Sequence, residues 1–354
     1  MREKLLEALM FFLERPSVIG DEKRLCDDLE GRITHFSEWD VTRVDNNLAL
    51  RRRDEDPSRP KLVFAGHLDT VPDPESPIEV RIEGDKVFGR GASDMKAGDA
   101  VMLALLEDFD WAASWAEPLF VFYEREEGPY AENGLEVVFD EIPWVLEGDL
   151  ALVPEPTAGA IEAGCVGTAQ VEITFAGRPA HAARPWQGEN ALTKAGEFLA
   201  ALHKRPAGEV IVDGLAFYEV LTPTMARAER AKNIVPDSFW INVNHRFAPG
   251  KDRSDVEKLF EDLVGEDASY EIVDFAPSGP VELDNPHLQR LIATGLEVRP
   301  KQAWTDVARF AERGVAAVNY GPGLPAQAHQ PQEHAELELL VECHERLEAF
   351  LWHQ

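Results

Sequence analysis

Five residues of the types that bind zinc and similar metals are spread along the chain. They are His67, Asp94, Glu127, Glu155 and His329. Imidazole nitrogens and carboxylate oxygens suit zinc and its neighbours in the periodic table. A pair of nearby metal ions needs a bridging carboxylate and further ligands on each side. Asp94 is placed to bridge, with His67 and Glu155 on one ion and Glu127 and His329 on the other, which leaves room for water between the ions.

Two more carboxylates stand beside these ligands. Asp69 follows His67 by two residues, and alternate side chains of an extended segment point the same way. Asp69 can therefore hold the other ring nitrogen of His67. Glu126 precedes Glu127, so one glutamate can bind metal while Glu126 stays free as a general base. A lone histidine after a strand is more often structural, and a Glu-Glu pair in an acidic chain is more often solvated, so the prediction rests on the whole set.

The chain also predicts a scaffold that brings these residues together. Apolar runs at residues 62–65, 119–123 and 150–153 predict buried strands that end beside His67, the Glu126-Glu127 pair and Glu155. Helices are predicted at residues 2–14, 21–34 (capped near Asp21) and 96–109, a single strand at 41–50 and a hairpin at 78–88. This alternation predicts an α/β fold, a mostly parallel sheet flanked by helices. Ligands in such sheets collect at the carboxyl ends of the strands.

The pattern changes near Gly164. Residues 169–175 alternate apolar and polar side chains, which predicts a half-exposed strand, assigned here to the edge of a second sheet. A long helix at residues 190–203, strands at 217–221 and 239–247 and a helix at 252–264 follow. We therefore predict an inserted α+β domain at residues 166–275. The catalytic domain then comprises residues 1–165 and 276–354, with helices from residue 285 and at 306–313, a strand at 316–320 and a last helix.

Composition excludes several classes of partner. The 354 residues carry a formal net charge of −30 and a pI near 4.7, which argues against nucleic acids and anionic membrane surfaces. A small-molecule substrate is expected, and an acidic one would need a local arginine cluster. Three scattered cysteines without a C-x-x-C pair, an acidic amphipathic N-terminal segment and no membrane-length apolar run together predict a cytoplasmic protein.

The motifs and their order resemble the M20 metallopeptidase/deacylase family, over nearly the whole chain. The matching stretches are residues 66–72 (GHLDTVP), 89–98 (GRGASDMKAG), 126–128 (EEG), 155–157 (EPT) and 321–329 (GPGLPAQAH). Within the family, residues 161–165, 181–186, 242–249 and 304–310 most resemble the actinobacterial succinyl-diaminopimelate desuccinylases. Two positions depart from the usual pattern, Pro154 and Arg125. Neither removes a ligand, and Arg125 is expected to point outward.

The resemblance implies the same metal roles, with Asp69 orienting His67 and Glu126 as the base. It implies two divalent ions, Zn²⁺ or alternatively Co²⁺, and hydrolysis of N-succinyl-LL-2,6-diaminopimelate. Other N-acyl amino-acid deacylases (for N-acetylornithine or N-acetylcitrulline), dipeptidases and a non-catalytic binding protein remain open as alternatives. It also implies a lid domain that forms a homodimer, with His181 as donor to the developing oxyanion. The candidate substrate-binding residues are Arg184, Asn233, Arg246, Thr305 and Gly323.

Overall fold

The computed structural model describes residues 1–73, 78–228, 231–266 and 268–352. The helices in these ranges are α1 (Arg2–Leu13), α2 (Lys23–Ile33), α3 (Ala97–Asp108), α4 (Gly134–Glu141), α5 (Ala191–Lys194), α6 (Gly196–Lys204), α7 (Arg253–Val264), α8 (Pro286–Ile292), α9 (Val307–Glu312) and α10 (Leu337–Leu351). The strands are β1 (Trp39–Val44), β2 (Asn47–Arg52), β3 (Lys61–His67), β4 (Arg81–Glu83), β5 (Lys86–Phe88), β6 (Glu117–Tyr123), β7 (Leu150–Val153), β8 (Ile161–Ala163), β9 (Gly167–Ala176), β10 (Ala180–His181), β11 (Gly208–Val212), β12 (Leu215–Arg227), β13 (Ile234–Val235), β14 (Ser238–Phe247), β15 (Ala268–Ala276), β16 (Val298–Pro300), β17 (Ala317–Asn319) and β18 (His334–Glu336).

The chain folds into two compact units. The larger unit comprises Met1–Gly164, Val281–Lys301 and Thr305–Gln354, and the inserted unit comprises Cys165–Pro280 and Gln302–Trp304. Helices flank the central sheet of the larger unit, which has the strand order β1-β2-β6-β3-β7-β17-β8-β16. The four adjacent strands β6, β3, β7 and β17 run parallel to one another, so the predicted α/β class is confirmed.

The central strands are buried because their sequences are apolar on both faces. Every residue of β6 and β7 is buried, as is all of β3 after its first residue. A strand covered on both sides has no polar face, so it reads as a continuous apolar run rather than as an alternation. The continuous runs at residues 62–65, 119–123 and 150–153 therefore identified these strands correctly.

Two local predictions in the larger unit are wrong. Residues 41–50 form an antiparallel hairpin of β1 and β2 instead of one strand, because Asp45 adopts a left-handed conformation with φ of 50° and reverses the chain. Asp21 does not cap α2. The residue before that helix is Glu22, which makes no capping bond with its side chain and instead accepts a hydrogen bond from the Gly20 N–H at 2.8 Å. The predicted hairpin at residues 78–88 is confirmed by β4 and β5.

The inserted unit contains a five-stranded antiparallel sheet with the order β11-β12-β14-β9-β15. Alternate residues of β9 (Ala169, Val171, Ile173 and Phe175) are buried in a core that also includes side chains from α5, α6 and α7. The prediction of an edge strand at residues 169–175 is wrong, since β9 pairs with β14 on one side and β15 on the other. Its half-exposed pattern arises from one polar sheet face and not from an edge position.

The predicted helix at residues 190–203 is interrupted. Asn190 caps α5 through its side chain, and α6 begins only after Ala195. Asp252 and Asp255 form a reciprocal capping box at the start of α7, which agrees with the helix predicted there. None of the helices in the described ranges is both long and apolar enough to cross a bilayer. All three cysteines are buried and unbridged.

Candidate active site

Three neighbouring parallel strands deliver most of the predicted ligands to one edge of the central sheet. His67 is the last residue of β3, and it pairs in register with Tyr123 at the end of β6. The Glu126-Glu127 pair follows β6, and Glu155 follows β7, the other neighbour of β3. The carboxyl ends of adjacent parallel strands lie together, so residues distant in sequence converge without long excursions of the chain.

The described residues form three groups of metal-type ligands, and within each group the ligand atoms lie within 4.8 Å of one another. Two of these groups, His67 with Asp94 and Glu155, and Asp94 with Glu127 and His329, contain all five predicted ligands and share Asp94. The third group comprises His67, Glu126 and Glu127, so the predicted base lies beside the predicted ligands. Oδ1 of Asp94 lies 3.4 Å from Nε2 of His67, and its Oδ2 lies 3.5 Å from Nε2 of His329. One carboxylate therefore faces two histidines, one through each oxygen.

The spacing of these atoms fits metal ions. Bonds of about 2.0–2.1 Å to a tetrahedral zinc ion place two ligand atoms roughly 3.3 Å apart. His67 Nε2 lies 3.4 Å from Asp94 and 3.8 Å from Glu155 Oε1. This nitrogen is buried and has no hydrogen-bond partner among the described residues. A buried polar atom costs free energy when it is unpaired, and a cation between His67 and the carboxylates would satisfy it.

The electrostatics also favour cations at this site. Burial, and then the negative charge of Asp94, raise the pKa of Glu155 to about 8. Burial, and then the neighbouring carboxylates Glu155 and Glu127, raise the pKa of Glu126 well above its ordinary value. The hydrogen bond with Glu127, 2.9 Å from Nε2, raises the pKa of His329 to about 9. Clustered carboxylates repel one another, and bound divalent ions would relieve that repulsion.

Asp69 connects His67 to the glutamate pair. Its carboxylate oxygens accept hydrogen bonds from the backbone N–H groups of Glu126 and Glu127, each at 3.0 Å. Nδ1 of His67 lies 3.1 Å from the backbone oxygen of Asp69 and 3.5 Å from its Oδ1. Because Asp69 is fully buried, these contacts are shielded from water. One side chain thus holds the backbone of the predicted base and of the predicted metal ligand beside it.

Asp94 and His329 lie on loops that pack tightly together. Asp94 belongs to an irregular helical turn, Ala92–Lys96, in which the peptide bond between Asp94 and Met95 is cis. A Cβ atom at Gly323 would overlap the carbonyl oxygen of Ser93, so this position requires glycine. Gly323 O also accepts a hydrogen bond from Ala158 N at 2.8 Å, three residues after Glu155. Gly323 therefore joins the loops of two predicted ligands.

Sequence reasoning missed several buried charged groups around this site, among them Glu333, Lys301 and Asp306. Glu333 accepts backbone hydrogen bonds from the loop that carries Asp94. Lys301 donates to the carbonyl oxygen of Pro156 at 3.1 Å and pairs with Glu162. Asp306 accepts a 2.6 Å hydrogen bond from the Tyr123 hydroxyl and pairs with Arg309. Each is an isolated charge between short elements, so periodicity gives no signal for it.

The two departures from the family pattern leave the ligands undisturbed. Arg125 Nη1 lies 3.3 Å from Glu132, and its side chain is 41% exposed, which agrees with the expected outward direction. The backbone of Arg125 is left-handed, with φ of 63°, so the residue lies in a turn and not in an extended segment. The carbonyl oxygen of Pro154 is closely approached by Gly98 and Gly321, where a Cβ atom would overlap it.

The remaining candidate residues divide between the two units. His181, Arg184 and Asn233 are exposed neighbours in the inserted unit: Arg184 N donates to His181 O at 2.7 Å, and Ala182 N donates to Asn233 O at 2.8 Å. Arg246 lies on β14 in the same unit, and its Nε donates to Asn244 Oδ1 at 3.0 Å. Thr305 is buried in the larger unit, beside Asp306.

Comparison with known structures supports the fold. The aminopeptidase PepT from Bacillus cereus superposes with a TM-score of 0.81 at 20% identity, covering 99% of this chain and 98% of that one. The YXEP protein of Bacillus subtilis, described as a dinuclear metal-binding peptidase of the M20 family, gives a TM-score of 0.70 at 15% identity, covering 99% and 97%. At these identities the likeness shows the fold alone.

Sequence relatives extend the comparison. A Mycobacterium tuberculosis protein, described provisionally as a succinyl-diaminopimelate desuccinylase, is 38% identical over 93% of this chain and 92% of its own. The succinyl-diaminopimelate desuccinylase of Corynebacterium glutamicum is 34% identical over 95% and 93%. A sequence model of peptidase family M20/M25/M40 matches residues 63–353. The chain therefore belongs to peptidase family M20/M25/M40 and is a metal-dependent amidohydrolase.

Proposed function

We propose that this chain hydrolyses N-succinyl-LL-2,6-diaminopimelate to succinate and LL-2,6-diaminopimelate. The observation that carries the proposal is the convergence of five metal-type ligands and a sixth carboxylate, Glu126, beside the carboxyl ends of β3, β6 and β7. The two relatives described above are named for this reaction and align over more than nine-tenths of the chain. The clustered ligands thus support metal-dependent amide hydrolysis, and the two relatives support the succinyl-diaminopimelate substrate.

We further propose that the cofactor is a pair of Zn²⁺ ions, for which Co²⁺ can substitute. His67 and Glu155 would hold one ion, Glu127 and His329 would hold the other, and Asp94 would bridge them. When bound, such ions polarise the amide carbonyl and make water a better nucleophile at neutral pH. The mixed nitrogen and oxygen ligand set suits zinc better than calcium or magnesium, which prefer oxygen ligands alone.

Glu126 is proposed to move the proton. It accepts a proton from the attacking water as the water oxygen bonds to the succinyl carbonyl carbon. It then delivers that proton to the nitrogen of the departing amine as the C–N bond breaks. Water is consumed, and the products are a carboxylate and a free amine. Burial raises the pKa of Glu126 well above its ordinary value, so this carboxylate holds a proton more readily than an exposed glutamate does.

His181 is proposed to stabilise the oxyanion that forms on the succinyl carbonyl. The backbone N–H of Ala183 donates to Nδ1 of His181 at 3.1 Å, so in the neutral ring Nε2 carries the hydrogen. That tautomer can donate to an oxyanion without first gaining a proton. Arg184, Arg246 and Asn233, together with Thr305 and Gly323, are proposed to bind the substrate. An arginine fork suits the distal succinyl carboxylate, which an acetyl group lacks.

Comparing substrates tests this function. The zinc-loaded and cobalt-loaded protein should be assayed with N-succinyl-LL-2,6-diaminopimelate, N-acetylornithine and simple dipeptides. The proposal expects the highest kcat/KM for the succinyl substrate, because acetyl analogues leave the carboxylate-binding groups unpaired. Equal kcat/KM for N-acetylornithine would refute the substrate assignment and spare the deacylase chemistry. Dipeptide hydrolysis alone would point to a peptidase.

The protein is also proposed to be a cytoplasmic homodimer that pairs through the inserted unit. The strand edge that supports this pairing belongs to β12 and not to β9. On one side of β12, residues 220–227 pair with β14. On the other side, β11 pairs only with residues 215–219, so among the described residues the second half of β12 has an open edge there. Met225 on this segment is 62% exposed. An exposed strand edge is a template for pairing, and two identical edges can pair about a two-fold axis.

Subunit mixing tests whether His181 serves the partner's site, as the family resemblance implies. His181→Ala and Glu126→Gln proteins should each be nearly inactive alone. After exchange, a mixed dimer contains one site with both an intact base and an intact histidine, so part of the activity should return. Each parent variant taken through the same exchange protocol is the control. No recovery despite exchange proven by mass spectrometry would show that His181 acts in its own subunit or not at all.

A further inference from the structure

Glu333 is a buried carboxylate outside the predicted ligand set. It is 1% exposed and stands four residues after His329, directly before β18. Its Oε1 accepts hydrogen bonds from the backbone N–H groups of Ser93 and Asp94, both at 3.1 Å. Its Oε2 accepts from the Gly91 N–H at 3.0 Å and from Arg90 Nη1 at 3.0 Å. Four donors thus surround one side chain, and three belong to the backbone of the loop that carries Asp94.

These hydrogen bonds constrain the loop more than a neutral acceptor would. Hydrogen bonds to an ionised acceptor are roughly twice as strong as those between neutral groups. Residues 92–96 do not form a regular helix, since Asp94 and Met95 have non-helical backbone angles. Ala92 N and Lys96 N find backbone acceptors in Gly89 and Gly91. Between them, the N–H groups of Ser93 and Asp94 donate to the Glu333 side chain.

Further contacts tie the same loop to the segment around His329. Ser93 Oγ donates to the carbonyl oxygen of His334 at 2.7 Å and accepts from Leu324 N at 3.1 Å. Gly89 N donates to the carbonyl oxygen of Glu333 at 3.2 Å. The segment 324–334 therefore contains His329 and forms hydrogen bonds with the loop of Asp94 both before and after that histidine. The position of one predicted ligand depends on the segment that bears the other.

We propose that Glu333 is a positioning residue that sets Asp94 and His329 relative to each other, so that the ion between them binds tightly. This inference rests on the proposed metal roles of those two residues. It assigns Glu333 no contact with metal or substrate. The ordinary alternative is that Glu333 and Arg90 form a buried ion pair that stabilises the fold and has no effect on metal binding.

The variants are chosen to separate these two roles. Glu333→Gln keeps the shape but removes the charge and turns an NH₂ group towards backbone donors. Glu333→Asp keeps the charge but shortens the side chain by one methylene. Glu338→Gln is the matched control, because Glu338 lies in the same part of the chain, is 65% exposed and pairs with Arg2 at the surface. Ser93→Ala removes the hydroxyl bridge and leaves the Glu333 carboxylate in place.

Metal-stripped full-length protein should be titrated with Co²⁺, with visible absorption and a competing chelator as readouts. Thermal unfolding of each metal-free variant reports folding separately. We expect Glu338→Gln to bind two ions like the wild type. Glu333→Gln should bind one of the two ions about 10–100-fold more weakly, the usual effect of losing a group that orients a ligand. Glu333→Asp should fall between them, with altered cobalt absorption bands.

The inference is overturned if folded Glu333 variants bind both ions with wild-type affinity, even if they unfold at lower temperature. If Glu333→Gln does not fold, Glu333→Asp and Ser93→Ala decide by the same measurement, and wild-type affinity in both overturns the inference. Failure of the proposed function is a distinct result. A wild-type protein that binds two cobalt ions but does not hydrolyse the succinyl substrate refutes the substrate assignment, while the cobalt affinities still decide the role of Glu333.

Discussion

The ring nitrogen Nδ1 of His67 lies closer to the backbone oxygen of Asp69, at 3.1 Å, than to its carboxylate, at 3.5 Å. The sequence predicts that the carboxylate orients the ring, but in the structure both carboxylate oxygens accept N–H groups of the Glu126-Glu127 backbone. Asp69 therefore orients His67 mainly through its main chain. Its side chain serves the segment that carries the predicted base.

Replacing Asp69 by asparagine should disturb that segment. The asparagine side chain would keep one oxygen acceptor but turn an amide NH₂ group towards the second backbone N–H, and a buried donor would be left unpaired. We expect kcat/KM to fall about 10–100-fold, with a smaller loss of bound metal. Steady-state kinetics and metal analysis check this. Asp54→Asn, at a side chain that is 72% exposed, is the control, and a wild-type rate for Asp69→Asn would contradict the role assigned to this side chain.

The two members of the glutamate pair should fail differently. Glu126→Gln cannot accept a proton, so the chemical step should slow by about 10²–10⁴-fold with metal content nearly unchanged. Glu127→Gln should instead lose metal, because Glu127 is grouped with Asp94 and His329, the two other predicted ligands of one ion, whereas Glu126 is grouped only with His67 and Glu127. Single-turnover kinetics and metal analysis of both proteins separate the outcomes. The reverse pattern would show that the two roles are exchanged.

The convergence of three predicted ligands, His67, Glu127 and Glu155, could be predicted because they lie at or just after the ends of buried strands. The runs that became β3, β6 and β7 are apolar on both faces, so they are visible without knowledge of their neighbours. A residue directly after such a strand lies at the edge of the sheet whichever strands adjoin it. The position of His67 and of the glutamate pair therefore followed from local sequence alone.

Strand order and isolated buried charges could not be predicted in this way. Apolar and polar residues alternate at 169–175 because only one face of β9 is covered. A sheet covered on one face gives this alternation in its edge strands and in its interior strands alike, so the sequence could not show that β9 lies between β14 and β15. Glu333 is recognisable only when Gly91, Ser93 and Asp94 are brought to it by the fold. Sequence alone shows it as one of many glutamates.

Metal binding should release protons at neutral pH. With pKa values of about 8 for Glu155 and about 9 for His329, both groups hold a proton in the metal-free protein near pH 7. Both must lose it to become ligands, so apparent affinity should rise with pH until those values are passed. Calorimetry in buffers of different ionisation enthalpy measures the release. The number of protons released by Glu155 and His329 should decline above pH 9. No release near pH 7 would contradict the assigned ligands.

His344 on α10 should weaken the fold in acid. The ring is fully buried, and both nitrogens lack a hydrogen-bond partner among the described residues. Burial lowers its pKa from 6.5 to about 4. The unfolded chain therefore binds a proton that the folded chain does not, and stability is lost as pH falls from 6.5 towards 4, by roughly 3 kcal/mol in total.

Replacing His344 by leucine should remove this part of the pH dependence. Urea unfolding of metal-free wild type and His344→Leu, at neutral pH and near pH 4.5, measures the difference in free energy of unfolding. The exposed His203 offers a control as His203→Leu, which should retain the wild-type pH profile. An unchanged acid loss in His344→Leu would assign that loss to other groups.

Zinc titration of the metal-stripped protein, followed by hydrolysis of N-succinyl-LL-2,6-diaminopimelate, tests the two-metal site most directly. The five predicted ligands form two groups that share Asp94. Activity should be abolished by chelation, return with added zinc or cobalt, and reach its plateau when two ions are bound per chain. Full activity in rigorously metal-free protein would contradict the mechanism, and a plateau at one ion per chain would contradict the bridging role of Asp94.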